Sequence, residues 1–348
     1  MSRGARKSVA LNTRALNLPL TGVQRYVEEI ISHAEGPIAG MRPPRAVMGA
    51  AGHAWEQGIL PLLVQGRTLF SPSNTGPLAV RRQVVTVHDV VPLDHPEWLN
   101  PKFARWYRWL LPKLVRRVAW VIAISEFTRE RLIAKTHVAP GRVIVIRHGV
   151  NRGFAPQSRP VIEAAVRRLG LPSGRYFFCL GSLEPRKNLG TLLQAWAAAQ
   201  KEMDEDVWLV VGGERGAGRV FAPLHLPPSP PRTFWAGRIP DDALAAVYSG
   251  ALAFVYPSLY EGFGAPPLEA LACGTPAIVG GRSAMPEVVG EAGILVDPVR
   301  PDDLSQALLD LARDSALRER LVSAGLKRAA QFSWPEAARK TWEILLSV

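Results

Sequence analysis

The stretch 253–279, AFVYPSLYEGFGAPPLEALACGTPAIV, holds a whole unit of structure. AFVY is a short apolar run rich in aromatic and β-branched side chains, which suits a buried strand, and TPAIV at 275–279 is a second. Between them lies a loop with Gly262 and Gly264, and Pro266 and Pro267 then open a helix over 267–272. Strand, loop, helix and strand in so few residues predict a parallel βαβ unit. The alternation continues outward. Strands are expected at 176–180, 208–211 and 294–296, with helices over 191–201, 241–249 and 301–314. Strands at 84–87, 120–124 and 143–146 predict a second α/β half upstream. The uncharged run 243–260 is 18 residues long, but Gly250 and Pro257 divide it and Asp241 and Asp242 precede it as helix-start carboxylates. A helix followed by a buried strand is therefore expected there, and no membrane span.

At 348 residues and 47% hydrophobic side chains, the chain exceeds what one core usually supports and is too apolar to be mainly disordered. The polar segment 149–160, GVNRGFAPQSRP, reads as the linker. It gives an N-terminal domain over 1–157, a C-terminal domain over 158–333, and a last helix over 334–348 expected to return to the first domain. The Pro-rich 224–231, LHLPPSPP, reads as a surface loop. The formal net charge is +12, yet residues 1–160 carry 23 basic and 9 acidic side chains while 161–348 carry 19 and 21. Anionic partners are expected for the first half alone. Cys179 and Cys273 lie in apolar stretches and supply neither a disulfide framework nor a thiolate metal site. The start has no apolar run of signal-peptide length, so a cytoplasmic location is expected.

Two groups of residues can carry chemistry. In the stretch quoted first, Glu261 lies on the loop and Glu269 is expected in the first turn of the helix, so both can face a ligand at the strand ends. Carboxylates accept paired hydrogen bonds from vicinal hydroxyls, while glycines and a helix N-terminus favour an anion, which together suit a sugar bearing phosphate. In FCLGSLEPRKNLGTLLQAW, 178–196, a strand ends at Gly181 and a short loop presents Arg186 and Lys187. Adjacent cations there can neutralise a diphosphate without a metal. Each pair taken alone is equally a set of solvated charges.

Together the motifs narrow the choice. GSLEPRKNL, LVVGG, GRIPDDALAAVYSGA, YPSLYEGFGAPPLEALACGTPAI and PEVVGEAGILVDP, in that order over 176–334, resemble the C-terminal half of a GT-B retaining glycosyltransferase of family 4, in its EPRKN-type, mannosyltransferase-like branch. TGVQRYVEEI, VVTVHDVVPL, VIAISEFTRERL and VIVIRHGVN extend the resemblance through the first half. The resemblance implies an α/β, GT-B fold of two Rossmann-like domains facing across a cleft, the donor on the C-terminal domain and the acceptor on the N-terminal one. It implies that Glu269 binds the ribose, that Glu261 contacts the donor sugar, and that Lys187 and Arg186 hold the diphosphate, Arg186 replacing an arginine that the family carries where Ser182 stands. His88 is implied beside the donor sugar. Gly22, Gly181, Ser182, Gly237, Arg238, Gly262, Phe263 and Gly264 are implied as lining of the donor site. No metal ligand and no resident cofactor are implied.

The implied activity moves a hexose, mannose from GDP-mannose as first choice, onto a glycan or polyprenyl-diphosphate-linked acceptor in lipopolysaccharide O-antigen or exopolysaccharide assembly. Other donors (UDP-glucose, UDP-GlcNAc, GDP- or dTDP-rhamnose) and an epimerase or phosphorylase on the same fold stay open. Nucleic-acid binding would explain only the charge, and the acidic second half opposes it. In 96–120, PEWLNPKFARWYRWLLPKLVRRVAW, helical projection sets Phe103, Trp106, Tyr107, Leu110, Leu114 and Val118 on one face and Lys102, Arg105, Arg108, Lys113 and Arg116, with Trp109, on the other. Basic residues with an interfacial tryptophan predict peripheral docking on the anionic inner face of the plasma membrane.

Overall fold

Short β-branched runs bounded by glycine, proline and polar residues give strands whose connections are mostly helical, and among the described residues the strands pair in parallel, with one isolated antiparallel bridge between Leu99 and Phe221. The computed structural model describes residues 8–17, 22–34, 36–43, 47, 49–214 and 220–348. The chain divides into two units, one of residues up to 94 with 102–149 and 333–348, the other of 95–101 and 150–332.

In the first unit β1 (Val9–Asn12), β2 (Ile38–Met41), β3 (Thr68–Ser71), β4 (Gln83–Val87), β5 (Trp120–Ala123) and β6 (Val143–Val145) form one sheet in the order β2-β1-β3-β4-β5-β6. Its helices are α1 (Gly22–Ser32), α2 (Gly49–Gly58), α3 (Leu60–Val64), α4 (Val91–Asp94), α5 (Pro101–Arg117) and α6 (Glu126–Thr136). One core joins Tyr26, Val27 and Ile30 of α1 to Phe70, Val84 and Ile122 of the sheet and to Trp334, Trp342 and Leu345 of the last helix, Trp334–Ser347. A smaller cluster packs Trp55, Leu60 and Val64 on Ala10 and Leu69. Helix α5 buries Tyr107, Leu110, Leu111, Leu114 and Val115 and leaves Trp109 44% exposed. Trp106, which periodicity assigns to the apolar face, sits at its edge. It is only partly buried and stacks on Trp109 at 5.1 Å.

In the second unit β7 (Tyr176–Leu180), β8 (Trp208–Gly212), β9 (Thr233–Gly237), β10 (Ala253–Tyr256), β11 (Ala277–Gly280) and β12 (Gly293–Val296) run in the order β12-β11-β10-β7-β8-β9. The helices are α7 (Arg159–Leu169), α8 (Leu189–Ala199), α9 (Asp241–Ser249), α10 (Ala265–Ala272), α11 (Met285–Val289), α12 (Pro301–Arg313) and α13 (Ser315–Ala329). Leu192, Leu193 and Trp196 of α8 and Leu304, Leu308 and Leu311 of α12 cover the face of the sheet that carries Phe177, Leu209 and Val255.

Local chemistry moves several expected boundaries. Pro266 and Pro267 lie inside the first turn of α10, where a missing N–H costs nothing, so the helix starts at Ala265 and Glu269 falls in its second turn instead of its first. The strand expected at 275–279 begins at Ala277, because Thr275 is used to close the preceding helices: its amide bonds Ala270 O at 2.9 Å and its hydroxyl Tyr248 O at 2.7 Å. Helix α12 stops at Arg313, since the Asp314 carboxylate accepts the Leu317 amide at 2.8 Å and caps α13. Strands β1, β2, β3 and β9 were not expected from pattern. Each has only four or five residues, and β2 and β9 are partly exposed edge strands held by a single neighbour.

Candidate active site

In an open parallel sheet, ligands sit beyond the strand carboxyl ends where the strand order reverses. In the second unit that point lies between β7 and β10. Two loops leave it side by side, and the Leu259 amide bonds Arg186 O at 2.8 Å to tie them together. Each loop runs into a helix N-terminus, α8 after β7 and α10 after β10, so two positive dipole ends lie beyond the switch point.

The first loop passes Gly181 and Ser182, buries Glu184, and turns through a 3-10 segment, Pro185–Lys187. Asn188, at φ 58, starts α8 in the left-handed region and is fastened by its side chain to Pro257 O and Pro298 O. Gly213 makes the crowding over this loop possible. At its φ of +128 a side chain is strained, and a Cβ would lie 1.9 Å from Gly181 O. Its amide donates to Gly237 O at 2.7 Å, while Ser182 and Arg238 are exposed.

The second loop brings Glu261 onto the first. Lys187 Nζ lies 2.6 Å from Glu261 Oε1 and also donates to the Tyr256 hydroxyl, whose ring it overlies at 4.7 Å. Arg186 Nη1 lies 2.6 Å from Glu261 Oε2, and Arg186 Nη2 lies 2.8 Å from Glu184 Oε1. Ser258 Oγ donates to Glu261 Oε1 at 2.8 Å, and the Glu261 amide donates to Ser283 Oγ at 2.9 Å. Burial alone would raise the Glu261 carboxyl, but Arg186 and then Lys187 outweigh it and hold the group near 2. Burial, followed by Arg186, pulls Lys187 below the usual lysine value, with Glu261 opposing. The charge-assisted contacts at 2.6 Å keep this pair ionised.

Gly262 and Phe263 are buried, and the Phe263 ring meets Phe332 edge-on at 5.8 Å. Gly264, at φ +107, precedes α10 where a Cβ would lie 2.1 Å from Met285 Cε. Glu269 is half-buried and accepts the Tyr248 hydroxyl at 3.1 Å on Oε2. Arg186, Lys187 and Glu261 therefore meet in one ion cluster, whereas Glu269 accepts a hydrogen bond from α9. Sequence reasoning missed Glu184, Tyr256, Ser258, Ser283 and Tyr248. The strand-end position of Tyr256 and the Glu-Pro junction before the 3-10 turn were the available signals.

In the first unit, His88 follows β4 and is 7% exposed. Its Nε2 lies 2.7 Å from Pro72 O and its amide donates to Asn74 Oδ1 at 2.5 Å. Burial lowers its imidazole to about 4, with the Pro72 carbonyl opposing, so the ring is neutral at physiological pH. Asp89 caps the next turn through the Val91 amide at 3.1 Å. His148 is buried, stacked between Tyr26 at 4.9 Å and Trp334 at 5.3 Å. Gly22 is the first residue of α1, and residues 18–21 before it lie outside the described residues.

Two family domains match the chain: glycosyl transferases group 1 over residues 162–328 and glycosyltransferase family 4 over 60–154. The chain is 31% identical over 268 residues to the O-antigen chain mannosyltransferase B of Escherichia coli, covering 76% of this chain and 70% of that one. It is 29% identical over 265 residues to the serotype-specific mannosyltransferase WbdA of Escherichia coli, covering 74% of this chain but only 32% of the relative's length. Among solved structures, Anabaena HepE in complex with UDP and glucose superposes with a TM-score of 0.75 at 17% identity, over 99% of this chain and 100% of that one.

Proposed function

The chain is a hexosyltransferase that belongs to glycosyltransferase family 4 and has the GT-B fold, and from that membership we propose that it moves mannose from GDP-mannose, with retention, to a glycan or lipid-linked acceptor in O-antigen or related polysaccharide assembly. The second unit takes the donor and the first unit the acceptor. The observation that carries this reading is the cluster of Arg186, Lys187 and Glu261 at the reversal point of the second sheet. When the bond from sugar to diphosphate breaks, negative charge grows on the leaving phosphate. Buried cations already fixed there stabilise that charge more than they stabilise the bound donor, and two helix N-termini add to the field. Lys187 and Arg186 act on the diphosphate, Glu261 contacts the donor sugar, and Glu269 accepts the ribose hydroxyls. His88, neutral and held by Pro72 O, offers an uncharged ring beside the sugar.

Mannose is favoured because the curated relatives named above are mannosyltransferases. The UDP and glucose bound by HepE keep UDP-glucose as the second donor reading. A melting-temperature panel of UDP, GDP, ADP and their sugars separates the two, since a ligand that binds only the native state raises the midpoint. Release of nucleoside diphosphate only when a glycan or lipid-linked acceptor is added then separates transfer from epimerisation. A panel with no stabilising nucleotide refutes the reading.

No helix among the described residues is long and apolar enough to cross a membrane. Contact with an anionic membrane falls instead to the first unit. Leu78, Trp109, Lys113, Arg116 and Arg117 line one pocket, and Gln57 of α2 bonds the Leu78 amide at 3.0 Å. Beside Gln57, Ile59, Leu62 and Leu63 of the α3 region are exposed, Leu62 by 76%. Apolar side chains next to a cationic face with an interfacial tryptophan suit the boundary between headgroups and acyl chains.

A further inference from the structure

Glu184 has no part in the reading above, yet it is the most enclosed carboxylate of the site, at 0% exposure against 6% for Glu261. It approaches Arg186 Nη2 at 2.8 Å, while Nη1 of the same guanidinium is held by Glu261 at 2.6 Å and by Tyr260 O at 3.2 Å. A guanidinium is a rigid planar fork: Glu261 takes a hydrogen bond from one arm, and the Glu184 carboxylate holds the other arm by charge, as an ion pair at 2.8 Å. The four charges of Arg186, Lys187, Glu184 and Glu261 sum to zero. A diphosphate is an anion and meets no net attraction from these four side chains while the two Glu261 oxygens occupy both cations at 2.6 Å. The entering anion has to take the place of Glu261 on Lys187 and Arg186. Glu261 lies on a loop beside Gly262 and Gly264 and is the carboxylate that can give way. Glu184 is fully buried at the N-cap of the turn that carries Arg186.

We propose that Glu184 is the positioning residue for Arg186: it keeps the guanidinium aimed at the donor diphosphate after that anion has displaced Glu261 from the two cations. The inference rests on the donor reading given above. It makes the two carboxylates opposites, Glu261 a competitor of the diphosphate and Glu184 its supporter, although each carries the same charge.

The test uses that opposition. Glu184→Gln and Glu261→Gln each remove one negative charge from the same cluster and keep the side chain's size. Titration calorimetry is run on the full chain with whichever of UDP, GDP or ADP the wild type binds, with the melting temperature recorded for each variant. Glu261→Gln is expected to tighten diphosphate binding and Glu184→Gln to weaken it, each by about tenfold, an ordinary magnitude for coupled groups. In an Arg186→Ala background the Glu184→Gln effect is expected to vanish, because the residue works through that guanidinium. Tighter binding by Glu184→Gln makes it a mere counter-charge and overturns the proposal. A loss that persists without Arg186 marks a general effect on the fold and also overturns it. Should Glu184→Gln not fold, Glu184→Asp keeps the charge but loses the reach, and binding equal to wild type then overturns it. If the wild type binds none of the three diphosphates, the donor reading itself falls, and this inference with it.

Discussion

Replacing Lys187 by methionine removes a charge while nearly keeping the side chain's length, and the structure sets the size of the effect. The Lys187 side chain is 10% exposed and its stem runs under Gly181, where a Cβ would lie 3.4 Å from Lys187 Cε, so water has little room to take over from the ammonium. Loss of one fixed donor to charge that develops in a transition state costs about 100- to 1,000-fold in kcat, or roughly 3–4 kcal/mol. Arg186, proposed to hold the same anion, remains, which places the expectation near the lower end, at about 100-fold. Because the donor diphosphate is already charged in the ground state, KM for the donor also rises, but charge still grows as the bond breaks and kcat has to fall. Initial rates of nucleoside diphosphate release at saturating acceptor, over a range of donor concentrations, separate the two constants. The unfolding midpoint is followed in parallel, since Glu261 keeps Arg186 and Ser258 but loses one partner. A kcat within about threefold of wild type, less than 1 kcal/mol in the barrier, refutes the role given to Lys187.

Glu269→Ala is expected to weaken donor binding by about tenfold or more, since it removes the proposed acceptor of the ribose hydroxyls along with the Tyr248 partner; donor affinity equal to wild type removes that assignment. His88 is depressed to about 4 in the folded chain against the ordinary 6.5, so the unfolded state takes up the proton first and stability declines as pH falls from 6.5 towards 4. His88→Asn should flatten that decline by up to about 3 kcal/mol, measured by denaturant unfolding at pH 7 and pH 4.5, and an unchanged slope contradicts the buried neutral ring. Trp109→Ala with Leu62→Glu should abolish flotation with acidic liposomes at low salt while leaving donor binding intact; a double variant that still floats removes the membrane face from this patch.

The alternation of apolar runs and helical segments was enough to read two α/β halves, because β7 and β10 are buried and apolar along nearly their whole length and β4, buried too, carries Val84, Val85 and Val87. β2, IAGM, is not readable in that way. Half-exposed and holding Gly40, it is a strand because β1 pairs with it, and pairing leaves no mark on the partner's own sequence. The site divides along similar lines. Glu261 and Lys187 stood out through the loops and glycines around them, and their meeting required only that β7 and β10 be neighbours. Glu184 was hidden, because a glutamate before proline and two cations reads as one more solvated charge, and burial depends on how the Glu214 carbonyl and the Leu183 amide draw the loop inward at 2.8 Å. Glu56 was hidden for the same reason. Within GAAGHAWEQG it looks like a surface residue, yet it is fully buried, taking hydrogen bonds from Asn12 at 2.7 Å and Thr75 at 2.5 Å with Arg14 beside it.

The helix Trp334–Ser347 lays its two tryptophans into the first sheet's core, and Gly149 exists at a point where any Cβ would strike the Trp334 backbone at 2.2 Å. One hydrophobic interior is thus assembled from two stretches of the chain that the whole of residues 150–332 separates. The first sheet and α1 precede residues 150–332 in the chain and the helix that covers them follows, so this core is completed only after the whole of that intervening segment has been made.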